Sequence, residues 1–189
     1  MLAEILGKEY SGTVICDCWR AYNFLSNANL QRCWAHLLRK SKVLCDTLAG
    51  YNFHNKLKAL FDEIKTFNLS NPTAEQRLVK YKEMTKRLKK IVYYYSQYEE
   101  LNKISNYVIF NLENWLTCIK FPDIEPTNNF AEQAIRETVI VRKIIGAFRS
   151  ETGKQNYEKL ASLIATWQLS QLDLKTQLKK MLTKNLCFC

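Results

Sequence analysis

GTVICDCWRAYN, residues 12–23, is the stretch on which the fold turns. Four β-prone residues, Thr13 to Cys16, run straight into one acid, Asp17, followed by Cys18 and Trp19. Gly12 supplies a turn into this strand, and residues 2–9 read as the end of a helix. An apolar strand that stops on a carboxylate places that carboxylate at a sheet end. A lone strand is not a stable sheet, however. Residues 13–16 therefore either pair with strands from elsewhere or are less strand-like than they look.

Beyond Asn29 strand signals nearly vanish and helical spacing takes over. Leu37, Leu38, Ser41, Leu44 and Leu48 make a short helical face that Gly50 ends. Leu57, Leu60, Phe61, Ile64 and Phe67 recur on one side of the next helix. Asn71-Pro72, with Glu75 after it, reads as a cap with proline at the first helical position. The helix that follows carries Ala74, Leu78, Tyr81, Leu88, Ile91 and Tyr95, and a further run carries Leu101, Ile104, Val108, Leu112 and Trp115. Those spacings predict an antiparallel helical hairpin ended by Phe121-Pro122.

DIEPTNN, residues 123–129, is a polar turn with a helix cap at Thr127 or Asn128. One helix is expected over about 129–144, another from Ser150 through Tyr157, Leu160, Ala161, Ile164 and Trp167, and a last one with Leu174, Leu178, Met181 and Leu182. Five Gly and three Pro in 189 residues agree with a mostly helical chain.

The formal net charge of +10 points to a polyanionic partner, most simply nucleic acid, or to a solvated basic surface. Residues 127–189 hold ten Lys and Arg against five Asp and Glu. No apolar run reaches the roughly 18 residues a membrane span needs, and the opening MLAEILGKEY lacks a secretory pattern, so no membrane partner is expected. Seven unevenly spaced cysteines fit reduced thiols in a cytoplasm better than a disulfide framework.

Asp17 and Glu132 are the candidate carboxylates for binding hard divalent cations. In NNFAEQAIR a continuous helix would put Glu132, Arg136, Val139 and Lys143 on one face, which also describes an ordinary surface ion pair. RCWAHLLRK, residues 32–40, holds Cys33 and His36 as a C-x2-H pair, which counted with Cys16 and Cys18 makes four nominal zinc ligands. Closing all four round one tetrahedral ion is awkward, so zinc is not expected. The aromatic run Tyr93-Tyr94-Tyr95 and Trp167 could stack on bases, although helical spacing favours a core role. The CFC tail, residues 187–189, reads as frayed.

Three of these blocks occur in a known order. GTVICDCWRAYN, RCWAHLLRK and EPTNNFAEQAIRETVIVRKIIGAFRSETG together resemble the carboxy-terminal part of IS66-type insertion-sequence transposases. These are DDE enzymes whose RNase H-like core is interrupted by a helical insertion. The resemblance implies a mainly α fold, a fragment of an RNase H-like α/β core with one or two strands left, interrupted by a helical-hairpin insertion. It implies a core remnant over 1–28, the insertion over 29–122, a return to the core with the Glu-bearing helix over 123–170, and a C-terminal helix and tail over 171–189.

By the same resemblance Asp17 matches the second catalytic acid and Glu132 the third, both as metal ligands. Arg136, Arg142, Lys143 and Arg149 fall at or after that Glu as DNA contacts. Cys33 and His36 match a signature of no assigned role. Mg²⁺ or Mn²⁺ is implied, with one ion activating water and then a DNA 3′-hydroxyl, and the other stabilising the leaving oxygen. The first acid of the family lies on a strand upstream of the second, whereas here 16 residues precede Asp17 and Glu4 and Glu9 read as helical. The expectation is a truncated transposase, inactive alone, whose partners are transposon-end DNA, an upstream transposase fragment and further copies of itself. The rival readings are a basic helical DNA-binding module without catalysis and a zinc-stabilised helical interaction domain.

Overall fold

Thr13–Cys16 is a strand, β1, and its partner is Asn29–Arg32, β2, which runs parallel to it. The computed structural model describes residues 4, 6, 7 and 9–186, so the CFC tail and residues 2, 3, 5 and 8 of the expected N-terminal helix lie outside the described residues. Glu4 is helical but Glu9 lies in a turn, where its carboxylate accepts a hydrogen bond from Asn27 Nδ2 at 3.1 Å. The register pairs Thr13 with Asn29 and Cys16 with Arg32, and a 3-10 helix, Arg20–Phe24, lies in the connection. β2 corrects the expectation that strands end before Asn29. Its sequence, NLQR, has no β-branched residue, so β propensity does not mark it. Burial decides instead: Gln31 and Arg32 are 0% and 1% exposed.

Asn29 and Cys33 donate their N–H groups to Gly12 and Cys16, so the alternate residues of β2 face away from β1. Those outward carbonyls are both taken. Thr117 Oγ1 donates to Leu30 O at 2.6 Å, and Gln31 Nε2 donates to Arg32 O at 2.7 Å. Gln31 Oε1 in turn accepts the N–H of Cys118 at 2.7 Å. A buried glutamine is tolerated here because each end of its amide has a partner. Among the described residues β1 pairs with β2 alone.

Helices α1 (Trp34–Lys42), α2 (Leu48–Leu69), α3 (Ala74–Tyr95), α4 (Glu99–Phe110) and α5 (Thr117–Lys120) pack around one apolar core, with a 3-10 turn over Leu112–Trp115. Trp34, Leu37, Phe53, Leu57, Ile64, Met84, Leu88, Val92 and Trp115 are fully buried in it. Trp34 and Trp115 meet edge to face at 5.9 Å, and Trp34 Nε1 donates to Trp115 O at 2.6 Å. That bond satisfies the one polar atom the buried indole of Trp34 carries.

Two helix boundaries differ from the spacing-based expectation. Gly50 does not end a helix; it lies in the first turn of α2, where its N–H donates to Thr47 Oγ1 at 3.0 Å. A Cβ there would overlap the Leu44 carbonyl, so only glycine lets the preceding turn close. The cap of α3 is Thr73, not Asn71, and it forms a capping box with Gln76. Asn71 takes a left-handed φ of 49° in the turn before it. Leu78, expected on the buried face of α3, is 55% exposed, because Arg77 and Met84 hold the inward positions.

The chain divides into two units, Met1–Ala131 and Glu132–Cys189. The helix expected over 129–144 is two helices, α6 (Asn129–Ala134) and α7 (Arg136–Ile145), separated at Ile135 with φ −94° and ψ 0°. Gly146, at φ 76°, ends α7. In the second unit α8 (Glu151–Leu169) is capped by Ser150 and packs with α9 (Leu174–Leu186). Phe148 and Tyr157 lie 5.2 Å apart between ring centres. Among the described residues no helix is long and apolar enough to cross a membrane.

Candidate active site

Asp17 directly follows β1 and is half-buried. Its Oδ1 accepts the Trp19 N–H at 2.9 Å, an acidic side chain closing a turn on the backbone two residues on. Its Oδ2 carries no hydrogen bond among the described residues, so one carboxylate oxygen stays available to a ligand.

Arg32, at the end of β2, holds the Asp17 turn from within. Nη1 of its buried guanidinium donates to the carbonyls of Asp17 and Trp19, both at 2.9 Å, and Nη2 donates to Asn23 Oδ1. Its Nε has no partner among the described residues. With Cys16 Sγ at 3.5 Å as a fourth acceptor, these bonds fix the fork and hence the path of residues 17–23. Sequence reasoning passed over Arg32. The available signal was a cation directly before Cys33 at the start of the RCWAHLLRK block.

Cys33 is 0% exposed and links three segments. Its N–H donates to Cys16 O at 2.8 Å, and its Sγ accepts the Asn128 N–H at 3.5 Å. One residue on, Trp34 N–H donates to Pro126 O at 2.9 Å, so Pro126 satisfies an orphan donor at the start of α1. Residues 126–128 are thereby tied to the β2–α1 corner, next to the residue that precedes Asp17. Asn128 Oδ1 is buried with no hydrogen-bond partner among the described residues. His36 sits half-buried in α1, three residues beyond Cys33.

Burial pushes the Cys16 thiol up to about 11, against the opposing influence of Arg32, and raises Cys18 as well. Burial, then the Asp17 carboxylate, raises the Tyr22 phenol. Tyr107 donates to Cys18 O at 3.0 Å, and burial raises its phenol too. The Cys16 and Cys18 thiols therefore stay protonated at neutral pH. Among the described residues no group of three or more His, Cys, Asp or Glu could hold a metal ion.

Glu132 lies in α6 and is half-buried. The break at Ile135 corrects the expectation that Glu132, Arg136, Val139 and Lys143 share one continuous helical face. Arg136 opens α7, Arg142 and Lys143 occupy its last turn, and Arg149 lies between α7 and α8; all four are exposed. Cations in the last turn complement the negative end of the α7 dipole. Asp17 and Cys33 belong to the first unit, and Glu132 and the four cations to the second.

No curated protein and no solved structure matches the chain. Residues 1–156, which contain every block described above, match the family described as Transposase IS66 family. The chain belongs to the IS66 transposase family.

Proposed function

We propose that the chain contributes Asp17 and Glu132 to a DDE-type phosphoryl-transfer site acting on transposon DNA in the cytoplasm. The observation that carries this reading is the double role of Cys33. Its N–H is bonded to the residue before Asp17, and its Sγ to the residue before the Glu132 helix. The family signature thus acquires a structural purpose, in which Cys33 ties the strand that delivers one acid to the turn that starts the helix of the other. The open β1 edge supports reading the β1–β2 pair as the margin of an RNase H-like sheet. Parallel pairs occur almost only inside larger covered sheets. A further strand on that edge is where a third acid enters beside Asp17.

The residues suit a hard divalent cation. Asp17 keeps one oxygen unengaged, and Asn128 holds a buried, unpartnered amide oxygen at the Cys33 anchor. Oxygen donors of this kind favour Mg²⁺ or Mn²⁺ over zinc. When bound, such ions supply the Lewis acidity for phosphodiester cleavage and strand transfer. Arg32 fixes the backbone that presents Asp17, and Arg136, Arg142, Lys143 and Arg149 contact DNA phosphates.

The test is Mn²⁺ binding followed by electron paramagnetic resonance on the intact chain. The expected result is a site weakened at least tenfold by Asp17→Asn and equally by Glu132→Gln. If either substitution leaves Mn²⁺ affinity unchanged, the two acids do not share an ion and this reading fails.

A further inference from the structure

The acid pair leaves unexplained the largest concentration of charge in the chain. α3 carries seven Lys and Arg against two Glu. The distribution around the helix is uneven. Met84, Leu88, Val92 and Tyr95 point into the core. Along one flank, Glu63 of α2 and Glu83 are both engaged by Lys80 and Arg87. The side opposite the core carries Lys82, Lys86, Lys89 and Tyr93, spaced i, i+4, i+7 and i+11, with Lys90 and Tyr94 beside them. All six are exposed, and among the described residues none of the four lysines makes an ion pair.

We propose that this outer face of α3 is a second DNA-binding surface, a lysine track for the phosphate backbone of a duplex, separate from the four cations around α7. An ordinary solvated helix mixes charges of both signs on its outer face. From Lys82 onward the acids within reach are consumed along the flank, leaving a stretch of one sign; Glu75 lies on the same face but seven residues before Lys82. Lys82 to Tyr93 spans about 16 Å of helix, over which one DNA strand presents about five phosphates. The track ends in two tyrosines, each 54% exposed. Lys89 Nζ lies 5.6 Å from the Tyr93 ring centre, and Lys56 Nζ lies 5.8 Å from that of Tyr94. Those contacts hold the rings beside the cations, where the phenols can donate to phosphate oxygens.

The same features argue against other partners. The face has no apolar centre to anchor a protein. The apolar side of α3 is already spent on the core, so the helix cannot embed in a lipid surface.

The proposal rests on the reading that the chain acts on DNA, but not on the acid pair. It is tested by fluorescence anisotropy of a random-sequence duplex of about 25 base pairs, titrated between roughly 50 and 200 mM salt. The proteins compared are the full chain and its Lys82→Gln/Lys86→Gln/Lys89→Gln/Lys90→Gln variant. The track predicts at least a tenfold loss of affinity and a salt slope shallower by about 3 to 4, near 0.9 for each phosphate contact removed. Lys86→Gln alone shifts the slope by about 0.9 and covers the case in which the fourfold variant does not fold. Mn²⁺ affinity of the fourfold lysine variant stays at the parent value, so failure of the metal site and failure of the track are read separately. The proposal is overturned if a folded fourfold variant binds DNA with unaltered slope. It is equally overturned if the parent chain ignores DNA and binds phosphatidylserine vesicles instead.

Discussion

The Asn128 N–H points at the sulfur of Cys33, 3.5 Å away, across 95 residues of sequence. Sulfur accepts at longer range than oxygen, so the pocket is sized for a thiol. Cys33→Ala removes the acceptor and should cost about 1–2 kcal/mol in urea unfolding. Cys33→Ser keeps an acceptor at a distance too long for oxygen and should recover only part of that. Hydrogen exchange at the Asn128 amide should accelerate in both variants.

Arg32→Lys is expected to be disruptive although charge is conserved. A lysine cannot reproduce the fork that spans the Asp17 and Trp19 carbonyls and Asn23. Lost charge-assisted bonds of about 1.5–3 kcal/mol should appear as reduced stability. Faster amide exchange confined to residues 17–23 should accompany it. Unchanged exchange there would remove Arg32 from its positioning role.

The α2–α3 charge cluster makes a pH prediction. Burial opposes ionisation of Glu63, yet hydrogen bonds and charge from Lys80 and Arg87 outweigh it and hold the carboxyl below its usual range. Lys80 and then Arg87 lower Glu83 in the same way. Folded values below the unfolded ones mean stabilisation that is fully present above the ordinary glutamate range, about 4.3, and lost as pH falls through the depressed values. The Tm difference between the parent chain and Glu63→Gln should therefore be present at neutral pH, begin to shrink on acidification below about pH 4, and disappear only once pH has passed through the depressed values. Added salt should shrink it as well, because the pair is partly exposed.

Gly50→Ala sets two effects against each other. Alanine improves helix propensity by about 1 kcal/mol. Its Cβ, however, meets the Leu44 backbone carbonyl, which cannot swing aside as a side chain would. Overpacking of this kind costs about 1–3 kcal/mol, so a net loss of Tm is expected.

Buried thiols should resist alkylation. Burial raises Cys118 to about 12 and Cys16 to about 11, and both are almost fully enclosed. Native-state labelling near pH 8 should spare both residues, and denaturation should expose them.

The helices were legible because their apolar residues recur at helical intervals; Leu57, Leu60 and Ile64 are buried as that spacing requires. β2 was not legible, because a strand stabilised by buried Gln31 and Arg32 looks like a polar loop until the 115–118 turn that satisfies Gln31 is in place. The same blindness hid Arg32, whose function depends on carbonyls that only the fold assembles. Asp17 at the strand end could be read from pattern. Glu132 near a helix start was a weaker candidate, since Glu–Arg at four residues is commonplace, and its resemblance to a family block is what set it apart from a surface ion pair. The break at Ile135 had no local signal, as neither glycine nor proline marks it.

With Thr117 and Gln31 occupying the far side of β2, growth of this sheet has a direction. A strand recruited from another chain cannot dock there without first evicting hydroxyl and amide groups already bonded. Any recruit must instead align alongside Val14 and Ile15, and one of its ends would then finish level with Asp17.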